Sequence, residues 1–178
     1  TGPKLNSISK YDFSDGVSIA CNSMVKNHSL MDRLKPPLIV AADPIFHAGC
    51  SSYAASFRSE LIRAMEKYDS YLIVPMRDYH IYNTYLPQHL ISRIVGIPLV
   101  IKEKPNLNLS KDFFVTSTAN VLTLFLIPLA STFFKTINIA GCDGRPLKDN
   151  DYFWSHDKTS QFNAELENIK KTHPAFFN

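Results

Sequence analysis

Five short apolar segments rich in β-branched residues constrain the fold of this 178-residue chain more than any other feature of its sequence. Each is a nearly continuous apolar run, without the alternation that a half-exposed strand shows. A strand that is apolar on both faces belongs to a parallel sheet covered by helices on each side. The predicted strands are VSIAC at residues 17–21, LIVAA at 38–42, YLIVP at 71–75, PLVI at 98–101 and INIAG at 137–141.

Segments with helical periodicity lie between these strands. Apolar residues recur at spacings of three and four in residues 52–68, which predicts an amphipathic helix docked on the sheet. A second helix is predicted over residues 118–134, with a kink at Pro128. A polar helix is predicted at about residues 158–171, and residues 78–96 are predicted to be helical too. The alternation of strands and helices predicts an open α/β sheet with helices on both faces, as one Rossmann-like domain spanning the chain.

The composition narrows the class of protein. The chain is 45% hydrophobic and 20% charged, which is the ordinary globular range, and its net charge of +3 is scattered along the sequence. A nucleic-acid-binding platform is therefore not indicated. The longest apolar run, at residues 121–134, is shorter than the roughly 20 residues that a bilayer requires, so no membrane span is expected.

The cysteines and the first residues of the chain indicate the cellular compartment of the protein. Cys21, Cys50 and Cys142 are too few and too far apart for a disulfide scaffold, and reduced thiols fit a cytoplasmic protein, at the inner membrane face or away from it. No signal-peptide pattern opens the chain. The Gly2-Pro3 turn normally follows a strand, so we expect a first strand before residue 1. Homo-oligomerisation stays open.

Small and polar residues collect where the predicted strands end. In an open α/β sheet, ligands bind outside the carboxyl ends of the strands, which predicts a nucleotide pocket at this edge. Asn22 can read a base or sugar edge, or it can form an Asx turn. Asp43 can hold a ribose hydroxyl or cap a helix. Thr116, Ser117 and Thr118 precede the long helix, where they can bind a phosphate or form a simple N-cap.

The segment GCDGRPLKDNDYFWSH, residues 141–156, contains many side chains that can take part in binding or catalysis. A long loop in a compact domain is commonly a lid or a binding loop, and a lid is predicted at about residues 142–157. Arg145 and Tyr152 suit a departing phosphate, and His156 suits proton transfer near neutral pH. Alternatively, the segment beginning at Asp143 forms only a tight turn.

Two further predictions concern a second histidine and a bound metal ion. His47 lies near a predicted strand end and is the reserve candidate for the general base. No histidine pair has the spacing of a metal-ligating motif, so we predict no built-in metal site and no cofactor.

The order of the strand-end motifs resembles a known family. TGPKL, ACNS, ADPIF, TST and AGCDGR, spread over residues 1–145, follow the order found in bacterial sialyltransferases that use CMP-sialic acid. The same order resembles a broader group that includes 6-hydroxymethylpterin pyrophosphokinase-like proteins. The resemblance implies one Rossmann-like domain of the metal-independent glycosyltransferase kind, with a cytidine nucleotide across the strand ends.

The resemblance also implies roles for individual residues. Gly2 and Pro3 would lie against the nucleotide phosphate, Asn22 and Asp43 would face the CMP portion, and Ser117 would contact nucleotide or donor. In the lid, Tyr152 is the nearest match to a tyrosine that assists the departing phosphate, and His156 to the histidine that acts as base. Asp143 and the residues flanking Ser117 complete the predicted nucleotide set.

The sequence departs from the family at several of these positions. Lys4 stands where the family has serine, Asp43 where it has asparagine, and Thr118 where it has glycine. The segment between AGCD and His156 is also much shorter.

Three functions follow as expectations. The first is an inverting glycosyltransferase that moves a sialic acid-like or Kdo-like acidic sugar from a CMP donor to a glycan hydroxyl. The second is diphosphate transfer to a pterin-like alcohol, with Mg²⁺ held by carboxylates such as Asp43 or Asp143. The third is a catalytically silent nucleotide-binding module of a larger surface-glycan protein.

Overall fold

A parallel β-sheet forms the centre of the computed structural model, which describes residues 5, 8, 10–13, 15–142, 165, 168, 171 and 172. Four strands lie in the order β1-β2-β3-β4, and every neighbouring pair is parallel. Two further strands, β5 and β6, form a second parallel pair. The strands are β1 (Ile19–Cys21), β2 (Leu38–Val40), β3 (Tyr71–Pro75), β4 (Ile94–Ile97), β5 (Leu99–Val100) and β6 (Val115–Thr116).

Helices connect the strands of the four-stranded sheet. Helix α1 (His28–Leu34) lies between β1 and β2, helices α2 (Pro44–Ala48) and α3 (Ser52–Tyr68) between β2 and β3, and α4 (Tyr79–Tyr85) between β3 and β4. Helix α5 (Ile127–Phe133) follows β6. The predicted α/β class with a mostly parallel sheet is confirmed, and the predicted bounds of β3 and α3 are those observed.

The two faces of the sheet bury different cores. Ile39 and Leu72 lie in the larger core with Phe57 and Leu61 of α3. Their neighbours along the strands, Val40 and Ile73, lie in a second core, which includes residues of α5. Because successive strand residues point to opposite faces, the apolar runs supply both cores at once.

The sequence predicted a helix across the residues that form β4. Gly96 lies in this strand, directly beside the turn after β3, where a Cβ atom would lie 2.9 Å from the Met76 Sδ and 3.1 Å from the Met76 Cα. Glycine is thus the residue that permits this close approach of two chain segments. Neither apolar periodicity nor β-propensity reports such a contact.

The predicted strand at residues 137–141 is wrong. None of these residues pairs with a strand in the described part of the chain, and Ile137 and Ile139 are 38% and 53% exposed. An apolar run alone does not form a strand, because a strand also needs a neighbour to satisfy its backbone groups.

The long apolar helix begins later than predicted and is not uniform. Asn120 caps it, since its Oδ1 accepts from the Leu122 N–H at 2.8 Å. A π-helical segment (Leu122–Leu126) leads into α5, which contains Pro128 near its start. Proline has no N–H and collides with the carbonyl four residues earlier in a regular α-helix, so the wider π turn accommodates Pro128.

None of the helices in the described ranges is both long and apolar enough to cross a membrane.

Candidate functional site

The carboxyl ends of β1, β2 and β3 lie side by side at one edge of the sheet. Cys21 pairs with Val40, and Val40 pairs with Ile73, so the three strands end at nearly the same level. The segments that leave this edge carry Asn22, Asp43 and Asp78. This edge is where parallel α/β sheets bind ligands.

Asn22 leaves β1 in a left-handed backbone conformation, with φ of 51°. Asparagine tolerates this region better than most residues. Its Oδ1 atom is buried and has no hydrogen-bond partner among the described residues. The alternative that Asn22 only forms an Asx turn is therefore not supported, because that turn would use this oxygen.

Asp43 follows β2 and caps helix α2. Its Oδ1 atom accepts hydrogen bonds from the backbone N–H groups of Ile45 and Phe46, each at 3.0 Å. The capping alternative is therefore present in the structure.

His47 lies one turn further along α2, and it is 3% exposed. Its ring lies against Phe57, with 4.3 Å between the ring centroids, and its Nδ1 atom has no partner in the described structure. Burial lowers the pKa of His47 to about 4, although the nearby Asp43 opposes this shift. The imidazole is therefore neutral at pH 7 and enclosed, which does not suit a base that must reach an acceptor hydroxyl.

Asp78 and Tyr82 belong to the same edge, and the sequence analysis missed both. Asp78 is 5% exposed, and it ends a 3₁₀ turn (Met76–Asp78) that directly follows β3. Its Oδ1 lies 3.3 Å from the Arg77 Nε, while its Oδ2 is buried and unpartnered within the described residues. Burial raises the pKa of Asp78, the Arg77 charge opposes this shift, and the Asp43 charge adds to it. The strand-end rule would have found Asp78, had it been applied after β3 as well.

Tyr82 lies one helical turn beyond Asp78 and is 1% exposed. Its hydroxyl oxygen is buried and finds no hydrogen-bond partner in the ranges described. Burial raises the pKa of Tyr82, and the charges of Asp78 and Asp43 raise it further. A buried tyrosine in a helix carries no sequence signal that separates it from an ordinary core residue.

Four buried side-chain atoms lack a partner in the described structure, and all four follow β1, β2 or β3. They are Asn22 Oδ1, His47 Nδ1, Asp78 Oδ2 and Tyr82 Oη. A buried polar atom without a hydrogen bond costs about 1–3 kcal/mol, so native proteins contain few of them. We call Asn22, Asp43, His47, Asp78 and Tyr82 the strand-end cluster, and their concentration at one edge marks the candidate site.

A second layer of contacts holds the start of α3 against this edge. Tyr53 is buried, its ring packs edge-on against Phe46 with 5.1 Å between centroids, and Ser23 hydrogen-bonds to it. Two residues from the C-terminal part of the chain also reach α3. The Asn168 Oδ1 accepts from the Ser52 N–H at 2.9 Å, and the Ser56 hydroxyl donates to the Glu165 carboxylate at 3.3 Å. The chain after the predicted lid therefore returns to the side of the candidate site.

The TST segment is placed differently from the prediction. The Thr116 hydroxyl donates to the Lys104 carbonyl at 3.0 Å and accepts from the Asn106 N–H at 3.3 Å, so it is occupied within the β5–β6 connection. Ser117 is exposed, and the Thr118 hydroxyl lies 2.9 Å from that of Thr123. The helix cap is Asn120, so the three predicted hydroxyls do not converge on the helix terminus.

The remaining predicted site residues lie outside the described residues. They are Gly2, Pro3, Asp143, Arg145, Tyr152 and His156. Their described neighbours nevertheless meet, since a Cβ on Gly141, which has φ of 70°, would lie 3.2 Å from the Leu5 side chain. Burial raises the pKa of Cys21, and Cys142 contributes to this shift, so Cys142 lies near the end of β1. Among the described residues, Leu5 thus lies beside Gly141, and Cys142 lies near the end of β1.

No group of three or more metal-ligating side chains occurs within the part of the chain that the structure describes. Comparison of the chain with protein-family models, curated proteins and solved structures finds no match in any of the three.

Proposed function

We propose that the chain is a Rossmann-like glycosyltransferase that binds a CMP-linked acidic sugar across the carboxyl ends of β1, β2 and β3. In this proposal it transfers the sugar to a glycan hydroxyl with inversion. One observation carries the proposal: four buried polar atoms that have no partner among the described residues lie at the edge where parallel α/β sheets bind nucleotides. The family resemblance supports the choice of a CMP donor.

The nucleotide contacts follow from the chemistry at this edge. The Asn22 amide both donates and accepts, which suits the edge of a base or a sugar. The Asp43 carboxylate is a hydrogen-bond acceptor at this edge, which suits a ribose hydroxyl. Gly2 and Pro3 contact the phosphate in this proposal, and Ser117, which is exposed, contacts nucleotide or donor.

The transfer step needs a base and a means of stabilising the departing phosphate. His156 removes the proton of the acceptor hydroxyl, while Tyr152 and Arg145 stabilise the negative charge of the departing CMP phosphate. The burial of His47 supports this choice of base, because an enclosed imidazole with a pKa of about 4 cannot meet an acceptor.

Magnesium-dependent diphosphate transfer is the second candidate. Asp43 and Asp78 lie within range of each other's charge, and carboxylate oxygens are the ligands that Mg²⁺ prefers. Asp149 and Asp151, which are two residues apart in the sequence and outside the described residues, are further candidates for such a role. Chelation therefore has to be part of the test.

The proposed function is tested by thermal shift and calorimetry with CMP and with ATP, each in EDTA and in Mg²⁺. A ligand that binds only the native state raises the melting temperature by mass action. We expect CMP to bind in EDTA, and Asn22→Ala to weaken this binding at least tenfold. Asn27→Ala, which removes the side-chain cap of α1, is the matched control. Binding of ATP only with Mg²⁺, together with no binding of CMP, would favour diphosphate transfer.

A further inference from the structure

Three exposed phenylalanines lie where the connection between β5 and β6 meets the end of helix α5. Phe113, Phe133 and Phe134 are 54%, 66% and 42% exposed, and among the phenylalanines that the structure describes they are the exposed ones. The rings of Phe133 and Phe134 lie 6.5 Å apart between centroids. Single exposed apolar residues are ordinary, whereas several large ones in one region mark a surface that binds a partner. We call these three side chains the phenylalanine patch.

Hydrogen bonds hold the two segments of the patch together. The Leu109 N–H donates to the Thr132 hydroxyl at 2.8 Å, one residue before Phe133. Leu109 is also buried in the second core, which includes residues of α5. The Asn106 side chain donates to the carbonyls on either side of Phe113, at 2.7 and 2.8 Å. The connection is therefore fixed on itself and on the last turn of α5, so the patch is a defined part of the surface.

The same two segments, residues 101–114 and 127–136, carry a net charge of +2. Their carboxylates are Glu103 and Asp112, and their four lysines are all exposed. The lysines are Lys102, Lys104, Lys111 and Lys135. None of the four forms an ion pair within the described structure. The patch is thus accompanied by positive charges that no carboxylate of the described residues neutralises by contact.

Lysine beside phenylalanine favours a lipid surface over a protein as the partner. Lysine is depleted in the interfaces between proteins, where tyrosine, methionine and arginine are enriched. Surfaces that bind at the boundary of a bilayer combine lysine with phenylalanine or leucine. Each lysine close to an anionic membrane strengthens binding roughly fivefold. The charge of these segments therefore complements a membrane that carries negatively charged headgroups.

We infer that the phenylalanine patch docks on a bilayer that contains anionic phospholipids. The three aromatic side chains enter the boundary between headgroups and acyl chains, and the lysines contact the lipid phosphates and carboxylates. This binding is peripheral, and it is independent of the proposed function, because no residue of the strand-end cluster takes part in it.

Co-sedimentation with vesicles tests the inference directly. We expect the unmodified chain to sediment with vesicles of phosphatidylcholine and phosphatidylserine, and at least tenfold more weakly with phosphatidylcholine alone. Added NaCl should weaken the binding, because salt screens the attraction between the lysines and the headgroups.

Two double variants separate the apolar contribution from the charged one. Phe113→Ser with Phe133→Ser should weaken binding roughly tenfold or more, because these side chains no longer enter the bilayer. Lys111→Gln with Lys135→Gln should also weaken it roughly tenfold or more, and only for vesicles that contain phosphatidylserine. Melting curves verify that each variant is folded. If the phenylalanine variant does not fold, the lysine variant, which keeps the apolar side chains, still decides.

Tyr85→Ser with Lys67→Gln is the matched control. It removes one exposed aromatic ring and one positive charge elsewhere on the molecule. Lys67 lies in α3, Tyr85 lies against Arg58 of the same helix, and α3 packs on the larger core rather than on the core beside the patch. Vesicle binding of this variant should stay within about threefold of that of the unmodified chain.

Four results overturn the inference. The first is no sedimentation of the unmodified chain with phosphatidylserine vesicles, and the second is a loss in the control as large as in the patch variants. The third is unchanged binding of either patch variant that folds. The fourth is a dimer in light scattering that Phe113→Ser with Phe133→Ser dissociates, which would assign the patch to a second copy of the chain. Calorimetry with CMP tests the proposed function separately, so the failure of one proposal is distinguishable from the failure of the other.

Discussion

The role expected of His47 from the sequence differs from the role that its surroundings in the structure allow. A histidine beside a strand end suggests a general base, because its ordinary pKa of about 6.5 suits proton transfer near neutral pH. In the structure its ring lies against Phe57 and is almost fully buried, which lowers the pKa to about 4. The same residue type at the same place in the chain is thus a neutral part of the core.

The lowered pKa of His47 predicts a pH-dependent stability. Between pH 6.5 and 4 the unfolded chain binds a proton at His47 and the folded chain does not, so the free energy of unfolding falls as the pH falls. The full shift corresponds to about 3 kcal/mol, lost progressively from pH 6.5 to pH 4 and retained above pH 6.5. Urea unfolding of the unmodified chain and of His47→Leu at pH 7, 5.5 and 4.5 measures this difference. An equal decrease in both proteins would show that His47 does not cause it.

The proposed base makes a prediction about rate rather than stability. His156→Ala should lower kcat by about 10²- to 10⁴-fold, because a positioned base typically contributes that much. CMP affinity should stay nearly unchanged, since the base contacts the acceptor and not the nucleotide. Steady-state kinetics combined with calorimetry separates the two quantities. Full activity of His156→Ala would remove the proposed acid–base scheme.

At the scale of elements, β4 depends on a glycine. The turn after β3 passes so close to Gly96 that an added methyl group would meet both the side chain and the backbone of Met76. Gly96→Ala should therefore lower the free energy of unfolding by about 2 kcal/mol, which is typical of overpacking. Adding Met76→Ala should recover only part of this loss, because the contact with the Met76 Cα remains. Full recovery in the double variant would show that only the methionine side chain resists the new methyl group.

Two residues near the start of the helix after β6 have different expected roles, since Asn120 caps the helix and Ser117 is a proposed nucleotide contact. Asn120→Ala should lower the free energy of unfolding by about 1 kcal/mol, because it removes the N-cap. Ser117→Ala should leave the stability within about 0.5 kcal/mol, since this side chain is exposed. If Ser117 contacts the nucleotide, the same variant weakens CMP binding. Unfolding curves and calorimetry on the two variants decide between a cap and a ligand contact.

The elements that sequence predicts well are those that local pattern determines. Helix α3 has both a clear apolar stripe and a capping serine, Ser51, whose hydroxyl accepts from the Ala54 N–H at 3.0 Å. Strand β3 is a continuous apolar run that is buried on both faces. Strand β4 could not be predicted in this way, because its place depends on the contact of Gly96 with a distant turn.

The same division holds for the candidate site. The position of Asn22 and Asp43 after apolar strands was enough to predict that they share an edge, and both lie there. Asp78 has the same signal, whereas the part played by Tyr82 depends on burial that the sequence does not report. The cap at Asn120, two residues beyond the predicted segment, shows how a choice between nearby polar side chains depends on tertiary geometry.

At the scale of the whole molecule, the site lies at one end of the parallel strands. Residues that leave β1, β2 and β3 at their carboxyl ends form the strand-end cluster, while Asp69 and Ser70 precede β3 at the opposite edge. Side chains from both sheet faces make the core between the two edges. A ligand bound across the strand ends should therefore stabilise one edge of the sheet selectively.

Hydrogen exchange measured by mass spectrometry tests this arrangement without any substitution. We expect saturating CMP to slow exchange in residues 22–26, 43–48 and 76–82, because ligand binding suppresses the local opening of the segments that it contacts. Exchange at residues 67–71, at the amino end of β3, should change little. Slowing confined to residues 116–123 would place the nucleotide at the TST segment alone and would contradict a site across β1, β2 and β3. Equal slowing at both edges would indicate that CMP stabilises the whole molecule. The exchange is therefore measured under conditions in which it proceeds by local opening and not by complete unfolding.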